Sequence, residues 1–314
     1  MWNLVLQIIL LVIGFVMLIK GADWFVEGAS KIADRFGIPQ LVIGLTIVAM
    51  GTSAPEAAVS ISAALKENAG ITIGNVVGSN IMNILLILGL TSIITAISVQ
   101  KSTISCEIPF LIAMSVLLPV LGQLGGLVDR IDGVILWICF IIYLLYLLRM
   151  AKKGQAVIED MPEGSENDSI LKMIIMLVVG GGLIVWGADV TVDAATQIAK
   201  VFGMDDRLIG LTIVAFGTSL PELITSVTAG MKGKADIAVG NIVGSNIFNI
   251  LFVVGTTALI TPVAFDPKFM IDSMAAVAAA VLLLLCVVKD RKLKRLSGCI
   301  MLVFYAAYFV YLLR

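Results

Sequence analysis

The feature that most constrains this chain is an internal repeat. The segment GADWFVEGASKIADRFGIPQLVIGLTIVAMGTSAPE (21–56) aligns without a gap with GADVTVDAATQIAKVFGMDDRLIGLTIVAFGTSLPE (187–222). The same register continues into IGNVVGSNIMNIL (73–85) and VGNIVGSNIFNIL (239–251). Similarity of this length indicates that a half-length unit was duplicated, so we expect two related halves.

The repeat is embedded in an apolar sequence. Hydrophobic residues make up 60% of the chain and charged residues 14%, whereas soluble domains average about 45–50% and about 25%. Many apolar runs approach the roughly 20 residues that a membrane-spanning helix needs. We therefore predict an all-α integral membrane protein with ten spans, at 3–24, 39–65, 71–96, 104–124, 131–150, 170–190, 207–230, 237–261, 269–288 and 296–313.

An odd number of spans in each half inverts the second half relative to the first. We predict a first five-helix repeat at 1–150, a linker at 151–169 and a second five-helix repeat at 170–314. The repeated motifs occupy about 39–96 and about 207–262. Inverted-topology repeats that carry interrupted helices at matching positions are typical of secondary transporters, whose substrate site lies between the repeats.

Charge placement predicts the orientation. If the N-terminus is outside, most of the 21 Lys and Arg residues fall in loops and helix ends on the inner side. The positive-inside rule then favours two extracellular termini and a cytoplasmic linker at 151–169, in a multi-pass protein of the cell membrane. The N-terminal apolar run lacks a basic region and a small-residue cleavage site, so we interpret it as a retained helix.

Several classes of function are disfavoured. A formal charge of −1 and no basic patch with exposed aromatics argue against a nucleic-acid partner. The chain has no histidine, and its four cysteines are widely separated, so a zinc site, a disulfide framework or a histidine-based hydrolase is not expected. We predict that the protein is not an enzyme, has no cofactor, and works as a monomer in the lipid bilayer.

The repeated hexapeptides GTSAPE (51–56) and GTSLPE (217–222) contain the candidate chemistry. A proline inside a helix removes a hydrogen bond, and a carboxylate at membrane depth costs about 2.5–3.5 kcal/mol. Because Pro55 cannot donate to the carbonyl of Gly51, we expect the carbonyls around Ala49 to Gly51 to lose their helix partners and, with the neighbouring hydroxyls and Glu56, to form an oxygen-rich cation site. The second half repeats this set around Ala215 and Glu222.

Polar residues in spans 3 and 8 are placed to form the opposite wall. Asn75, Ser79 and Asn83 recur every four residues, which keeps them on one helix face. The same pattern returns in the second half at Asn241, Ser245 and Asn249. Any single intramembrane Ser, Thr or Asn is more often interhelical glue, but its repetition in both halves favours a binding site.

Charge counting limits the cargo. Two carboxylates carry −2, which one Ca²⁺ or two Na⁺ ions neutralise, so exchange of one Ca²⁺ for more than two Na⁺ would be electrogenic. Because removal from water disfavours a bare carboxylate, we also expect protons to compete with Ca²⁺ for both glutamates.

The paired motifs GTSAPEAAVSI with GNVVGSNIMNI and GTSLPELITSV with GNIVGSNIFNI resemble the two α-repeats of the sodium/calcium exchanger family, within the cation/Ca²⁺ antiporter superfamily. The short central loop resembles the prokaryotic members. The resemblance implies Na⁺/Ca²⁺ antiport by alternating access, in which spans 1 and 6 slide across the other eight. It also implies a site shared by spans 2, 3, 7 and 8.

Individual roles follow from the motif match alone. Glu56, Glu222, Thr52 and Thr218 would bind the central Ca²⁺, and Asn83 and Asn249 would complete the middle of the site. The flanking Na⁺ sites would be formed by the hydroxyls and carbonyls of Ser53, Ser79, Ser219, Ser245, Ala49 and Ala215.

Two alternative transport functions stay open at this stage, and composition alone also leaves open an intramembrane hydrolase with a Ser/Lys or paired-acid mechanism. A proton-driven Ca²⁺ antiporter would use a similar site, but proton-coupled relatives carry a GNxxE-type segment where this chain has GNVVGSN and GNIVGSN. A cation channel is a further alternative, which the inverted repeat with paired broken helices disfavours. Potassium-dependent exchangers carry aspartate at the position of Asn249, which argues against K⁺ co-transport.

Overall fold

The computed structural model describes residues 2–65, 71–158, 169–203 and 215–312, and within these ranges the chain is almost entirely helical. Eight of the described helices are long and apolar enough to cross a membrane. They correspond to spans 1, 3, 4, 5, 6, 8, 9 and 10, with bounds Trp2–Arg35, Ile71–Ile94, Thr103–Gly125, Arg130–Ile158, Ile170–Val201, Ala235–Ile260, Phe269–Val288 and Arg295–Leu312.

Span 2 is a broken helix. Gln40–Thr52 and Ala54–Ile61 meet at an angle of 46°, and helix continues to Leu65. The equivalent break in span 7 separates Ala215–Thr218 from Leu220–Met231. The first part of the predicted span 7, at 207–214, lies outside the described residues, so the count of ten helices stays a prediction.

Spans 1 and 6 run well past their predicted ends. At about 1.5 Å per residue, their 34 and 32 residues extend about 50 Å, well beyond the roughly 30 Å hydrocarbon layer. At the polar end of span 1, Lys31 and Glu27 form an ion pair of 2.9 Å across one helical turn. The predicted linker also begins as helix, because span 5 continues to Ile158; residues 159–168 lie outside the described part.

Spans 1 and 6 pack against each other along their length through glycines. A Cβ placed on Gly14 would lie 2.3 Å from the hydroxyl of Thr191, and one on Gly180 would lie 2.7 Å from the backbone nitrogen of Phe25. Both distances are shorter than real contacts allow, so the two backbones approach each other as closely as small residues permit. The contacts of this helix pair with the described parts of the remaining spans are less extensive.

Short strands join the two halves. β1 (Ile97–Ser98) pairs antiparallel with β4 (Lys292–Leu293), and β2 (Leu127–Val128) pairs antiparallel with β3 (Val263–Ala264). Each pair contains one strand from each half. Spans 3 and 8, which bear the repeated polar residues, are the most deeply buried of the eight long helices.

Candidate cation site

Both broken helices place a glutamate at the start of their second segment. The break falls at Ser53 and at Ser219, whose ψ angles of 7° and 3° depart from helical geometry. The following proline occupies the first turn of the new helix, where a backbone N–H would have no acceptor within that helix. Glu56 and Glu222 come next, in a position where the helix dipole favours negative charge, and both are fully buried.

Each glutamate is contacted by the serine of the other half. Ser53 Oγ donates to Glu222 Oε1 at 2.8 Å, and Ser219 Oγ donates to Glu56 Oε1 at 3.4 Å. The second oxygen of each carboxylate, Oε2, is buried and has no hydrogen-bond partner among the described residues. The two predicted Ca²⁺ ligands thus belong to one site that both halves build together.

Asparagines at the start of spans 3 and 8 brace the glutamate turns. Asn241 Nδ2 donates to the backbone oxygen of Glu222 at 3.4 Å and to Ser226 Oγ at 2.9 Å. The Oδ1 atom of Asn241 accepts the hydroxyl of Thr52 at 2.9 Å. Asn75 makes the matching contacts with Glu56 and Ser60, at 3.3 and 3.0 Å. These two amides bind protein groups and so position the site.

Asn83 and Asn249 lie further along the same helices, each at the start of a π-helical turn, Asn83–Leu88 and Asn249–Val254. Such turns are frequent at functional sites. Their side chains are fully buried, and Oδ1 of each has no hydrogen-bond partner in the described ranges. The helix that carries Glu222 packs against the turn that begins at Asn83, and the helix that carries Glu56 packs against the turn at Asn249.

The carbonyl of Ala49 departs from expectation. We expected the proline to leave it without a helix partner, but it accepts the N–H of Ser53 at 3.0 Å. The reason is spacing: Pro55 removes the donor four residues after Gly51, and the donor for Ala49 is intact. Ser245 Oγ lies 3.3 Å from this carbonyl and 3.4 Å from Glu222 Oε1, so Ala49 still lies beside the carboxylate.

The remaining candidate residues are distributed over the same helices. Ser79 is buried in span 3, at the position equivalent to Ser245. Thr218 is half-buried at the end of Ala215–Thr218, directly before the break, and Ala215 is the first residue of that helix. The ligand roles of all twelve candidates stay predictions, although hydrogen bonds directly link Ser53, Ser219 and Ser245 to the glutamates.

Sequence reasoning missed the role of Asn80 and Asn246. Both are buried and hydrogen-bond across the interface between the halves. The signal was present, because each is the last residue of a GSN triplet that occurs in both repeats. The four-residue spacing of the predicted ligands selects one face of each helix, and Asn80 and Asn246 do not lie on that face, so the sequence did not single them out.

Two further acids in the spans are paired with tyrosines. The Glu107 carboxylate accepts a hydrogen bond from the Tyr146 hydroxyl, and Tyr308 donates to Asp272 at 2.9 Å. Neither acid lies in a broken helix, and each bonds a tyrosine of the next span in the same half of the chain. Burial of a carboxylate alone therefore does not identify the site; the helix break and the cross-half contacts do.

An apolar groove of about 560 Å³ lies beside the break in span 7, and residues of spans 1, 3, 6, 7 and 10 line it. Phe216, before the helix break, and Leu220, after it, line this groove, and Thr191 and Val192 line it from span 6. The position in the first half equivalent to Thr191 is Phe25, whose ring packs over Gly51. The two halves therefore surround their helix breaks differently.

The donor set suits a hard cation. Two carboxylates, several hydroxyls and two amide oxygens that lack hydrogen-bond partners among the described residues are buried on helices that pack against one another. Buried charge of this kind is stable only when paired. An inverted-repeat membrane protein with such a site between its broken helices belongs to the class of secondary cation transporters.

Comparison with known proteins identifies the family. The chain matches the family described as Sodium/calcium exchanger protein over residues 6–149 and 172–314, and it belongs to that family. It is 40% identical over 311 residues to the putative antiporter CaxA of Alkalimonas amylolytica, with 96% of each chain covered. It is 33% identical over 341 residues to the sodium/calcium exchanger MaX1 of Methanosarcina acetivorans, with 97% of each covered.

A solved structure agrees with this assignment. The sodium-calcium exchanger NCX_Mj superposes with a TM-score of 0.86 at 33% identity, over 98% of this chain and 99% of that one. The protein is therefore a multi-pass membrane transporter of the exchanger type and not an enzyme, which confirms the prokaryotic-type resemblance drawn from the repeats.

Proposed function

We propose that this protein exchanges Na⁺ for Ca²⁺ across the membrane by alternating access. The observation that carries the proposal is the buried cluster in which Glu56 and Glu222 each accept a hydrogen bond from the serine of the other half, while the second oxygen of each carboxylate has no hydrogen-bond partner among the described residues. A pair of buried carboxylates is strongly destabilising unless cations compensate it. Transported cations supply that compensation.

The proposed ligands follow the motif match and the contacts. Ca²⁺ binds between Glu56 and Glu222, with Thr52 and Thr218 in the same site and Asn83 and Asn249 completing it. Na⁺ ions bind at the flanking groups, which are Ser53, Ser79, Ser219, Ser245 and the carbonyls of Ala49 and Ala215. Ser245 supports this division, because its hydroxyl lies between the Ala49 carbonyl and a Glu222 oxygen.

The transport is proposed to be electrogenic. The site carries −2 from its carboxylates, so one Ca²⁺ or two Na⁺ ions neutralise it. A third Na⁺ leaves the loaded site with one positive charge, and exchange against one Ca²⁺ then moves net charge across the membrane.

Alternating access is proposed to use spans 1 and 6 as a moving pair. They pack closely on each other through Gly14, Gly21 and Gly180, and less extensively on the described parts of the other spans. The apolar groove beside Leu220 gives the pair different surroundings in the two halves. A pair that holds together and slides over the other spans opens the site alternately to either side.

The orientation and assembly belong to the same proposal. The Lys and Arg distribution favours extracellular termini, a cytoplasmic 151–169 linker and residence in the cell membrane. Since both halves of one chain complete the site, a single copy is sufficient, and we propose that the monomer is the functional unit.

The test is ion flux in proteoliposomes. Vesicles that contain the purified protein are loaded with Na⁺ and diluted into Na⁺-free buffer with tracer Ca²⁺, at a clamped potential and without a pH gradient. We expect Ca²⁺ uptake that requires internal Na⁺ and that Glu56→Gln and Glu222→Gln abolish. Glu107→Gln is the matched control, because it alters an equally buried carboxylate outside the site and retains an acceptor for Tyr146.

Other outcomes discriminate between mechanisms. Uptake that ignores Na⁺ but follows an imposed pH gradient would replace the proposal by proton-coupled exchange. Tracer equilibration without a counter-ion would indicate a channel. Equal loss of uptake in Glu107→Gln and the two site variants would show that burial, and not the site, explains the effect.

A further inference from the structure

We propose that Asn80 and Asn246 are positioning residues that fix the amide orientation of Asn83 and Asn249, so that an oxygen of each faces the cation. The inference rests on the proposed function and deepens it. An asparagine amide has an oxygen and a nitrogen of nearly equal size. Only the oxygen can bind a cation, so a site that uses asparagine needs something to set its orientation.

The backbone sets the orientation of the first pair. Asn80 Nδ2 donates to the backbone oxygen of Asn246 at 3.2 Å, and Asn246 Nδ2 donates to the backbone oxygen of Asn80 at 3.1 Å. A backbone carbonyl can only accept, so in both side chains the NH₂ group must face it. The Oδ1 atoms of Asn80 and Asn246 are thereby directed elsewhere.

Those oxygens set the orientation of the second pair. Oδ1 of Asn246 accepts from Asn83 Nδ2 at 2.9 Å, and Oδ1 of Asn80 accepts from Asn249 Nδ2 at 3.4 Å. Because an amide oxygen cannot donate, the group facing it has to be the NH₂ of the second asparagine. Oδ1 of Asn83 and of Asn249 is then turned away, and both of these oxygens are buried without a hydrogen-bond partner in the described ranges.

The arrangement also crosses the two halves. The asparagine of one half orients the candidate ligand of the other, so the polarity of both amides depends on spans 3 and 8 staying in contact. All four side chains are buried, where water is not available to satisfy a wrongly turned amide. A flipped Asn83 would present NH₂ to the cation and place its oxygen against the Oδ1 of Asn246.

The test is a double-mutant cycle on Ca²⁺ affinity, measured by calorimetry on the purified full-length protein. Asn246→Leu removes the acceptor that holds Asn83, and we expect it to weaken Ca²⁺ binding about tenfold, the equivalent of one hydrogen bond. In the Asn83→Asp background both side-chain oxygens accept, so no orientation has to be fixed. There we expect Asn246→Leu to leave the affinity unchanged or to raise it, because it removes an oxygen that faces the new carboxylate.

A structural role alone predicts a different pattern. If Asn246 only packs spans 3 and 8 together, Asn246→Leu will weaken binding by the same factor in both backgrounds, and that additivity would overturn the inference. Thr257→Val is the matched control: it changes a fully buried polar side chain in the same span, and we expect unchanged affinity. The mirror cycle, Asn80→Leu with Asn249→Asp, decides the matter if Asn246→Leu does not fold.

The two proposals fail separately. Absence of Ca²⁺ binding by the unsubstituted protein in this titration would count against the proposed function. Binding by that protein, combined with additive losses in the cycle, would count against the positioning role alone.

Discussion

The close contact between spans 1 and 6 predicts a large difference between two glycines that are two residues apart. A Cβ on Gly180 would lie 2.7 Å from the nitrogen of Phe25 and 2.8 Å from the oxygen of Gly21, whereas one on Gly182 would meet nothing within 4 Å. Carbon atoms prefer about 3.5–4.0 Å from their neighbours. Since both close atoms belong to the backbone, Gly180→Ala must push the two helices apart by about 1 Å.

The expected difference in Tm can be estimated because Gly180→Ala and Gly182→Ala make the same chemical change in the same helix. Both substitutions gain the same helix propensity, about 0.5–1 kcal/mol, so it cancels in their difference. Overpacking of a close interface costs about 1–3 kcal/mol. At about 2 °C per kcal/mol for a chain of this size, the Tm of Gly180→Ala should fall about 2–6 °C below that of Gly182→Ala.

The assay is thermal unfolding of both variants in the same detergent. The fraction of folded protein at each temperature is measured as the height of the monodisperse peak in size-exclusion chromatography. Gly181→Ala gives an intermediate point, because its Cβ would lie 3.4 Å from the Phe25 ring, which can move. Equal Tm values for Gly180→Ala and Gly182→Ala would refute the reasoning, since they would show that the helix pair has no close backbone contact to disturb.

Three further predictions concern other contacts. Ser53→Ala should raise the Na⁺ concentration for half-maximal exchange more than Ser219→Ala, because its hydroxyl lies 2.8 Å and not 3.4 Å from a glutamate oxygen; Na⁺ titration of the vesicle assay checks this order. Tyr146→Phe should lower the free energy of unfolding by about 1–3 kcal/mol, because it leaves the Glu107 carboxylate without that donor, while exchange in vesicles continues. Lys232→Gln breaks a half-exposed ion pair of 2.6 Å with Asp23, so it should change stability by less than about 1 kcal/mol, with the difference disappearing in unfolding measured at high salt.

Much of the architecture was readable from the sequence because membrane helices obey local rules. Apolar length marked the spans, and the repeat register showed which positions are equivalent. Spans 1 and 6 were predicted too short, because charged residues such as Glu27 in span 1 and Asp193 in span 6 mark the end of an apolar run and not the end of a helix. The predicted linker likewise hid eight helical residues that continue span 5.

The candidate site was likewise predicted in part. A glutamate after a proline, twice, was sufficient to single out Glu56 and Glu222, because intramembrane acids are functional by default. The carbonyl of Ala49 was judged wrongly, since a proline removes only the donor four residues after Gly51 and leaves the bond from Ser53 intact.

The sequence by itself determined the membrane class, the duplicated halves, the helix breaks and the acids, because each depends on composition or on neighbours within one helical turn. Only the tertiary structure decided which groups meet. Equivalent positions in a repeat are not contacting positions, and the bonds from Ser53 to Glu222 and from Asn83 to Asn246 join residues 169 and 163 positions apart. Such pairs depend on how the inverted halves pack, and no local pattern specifies that packing.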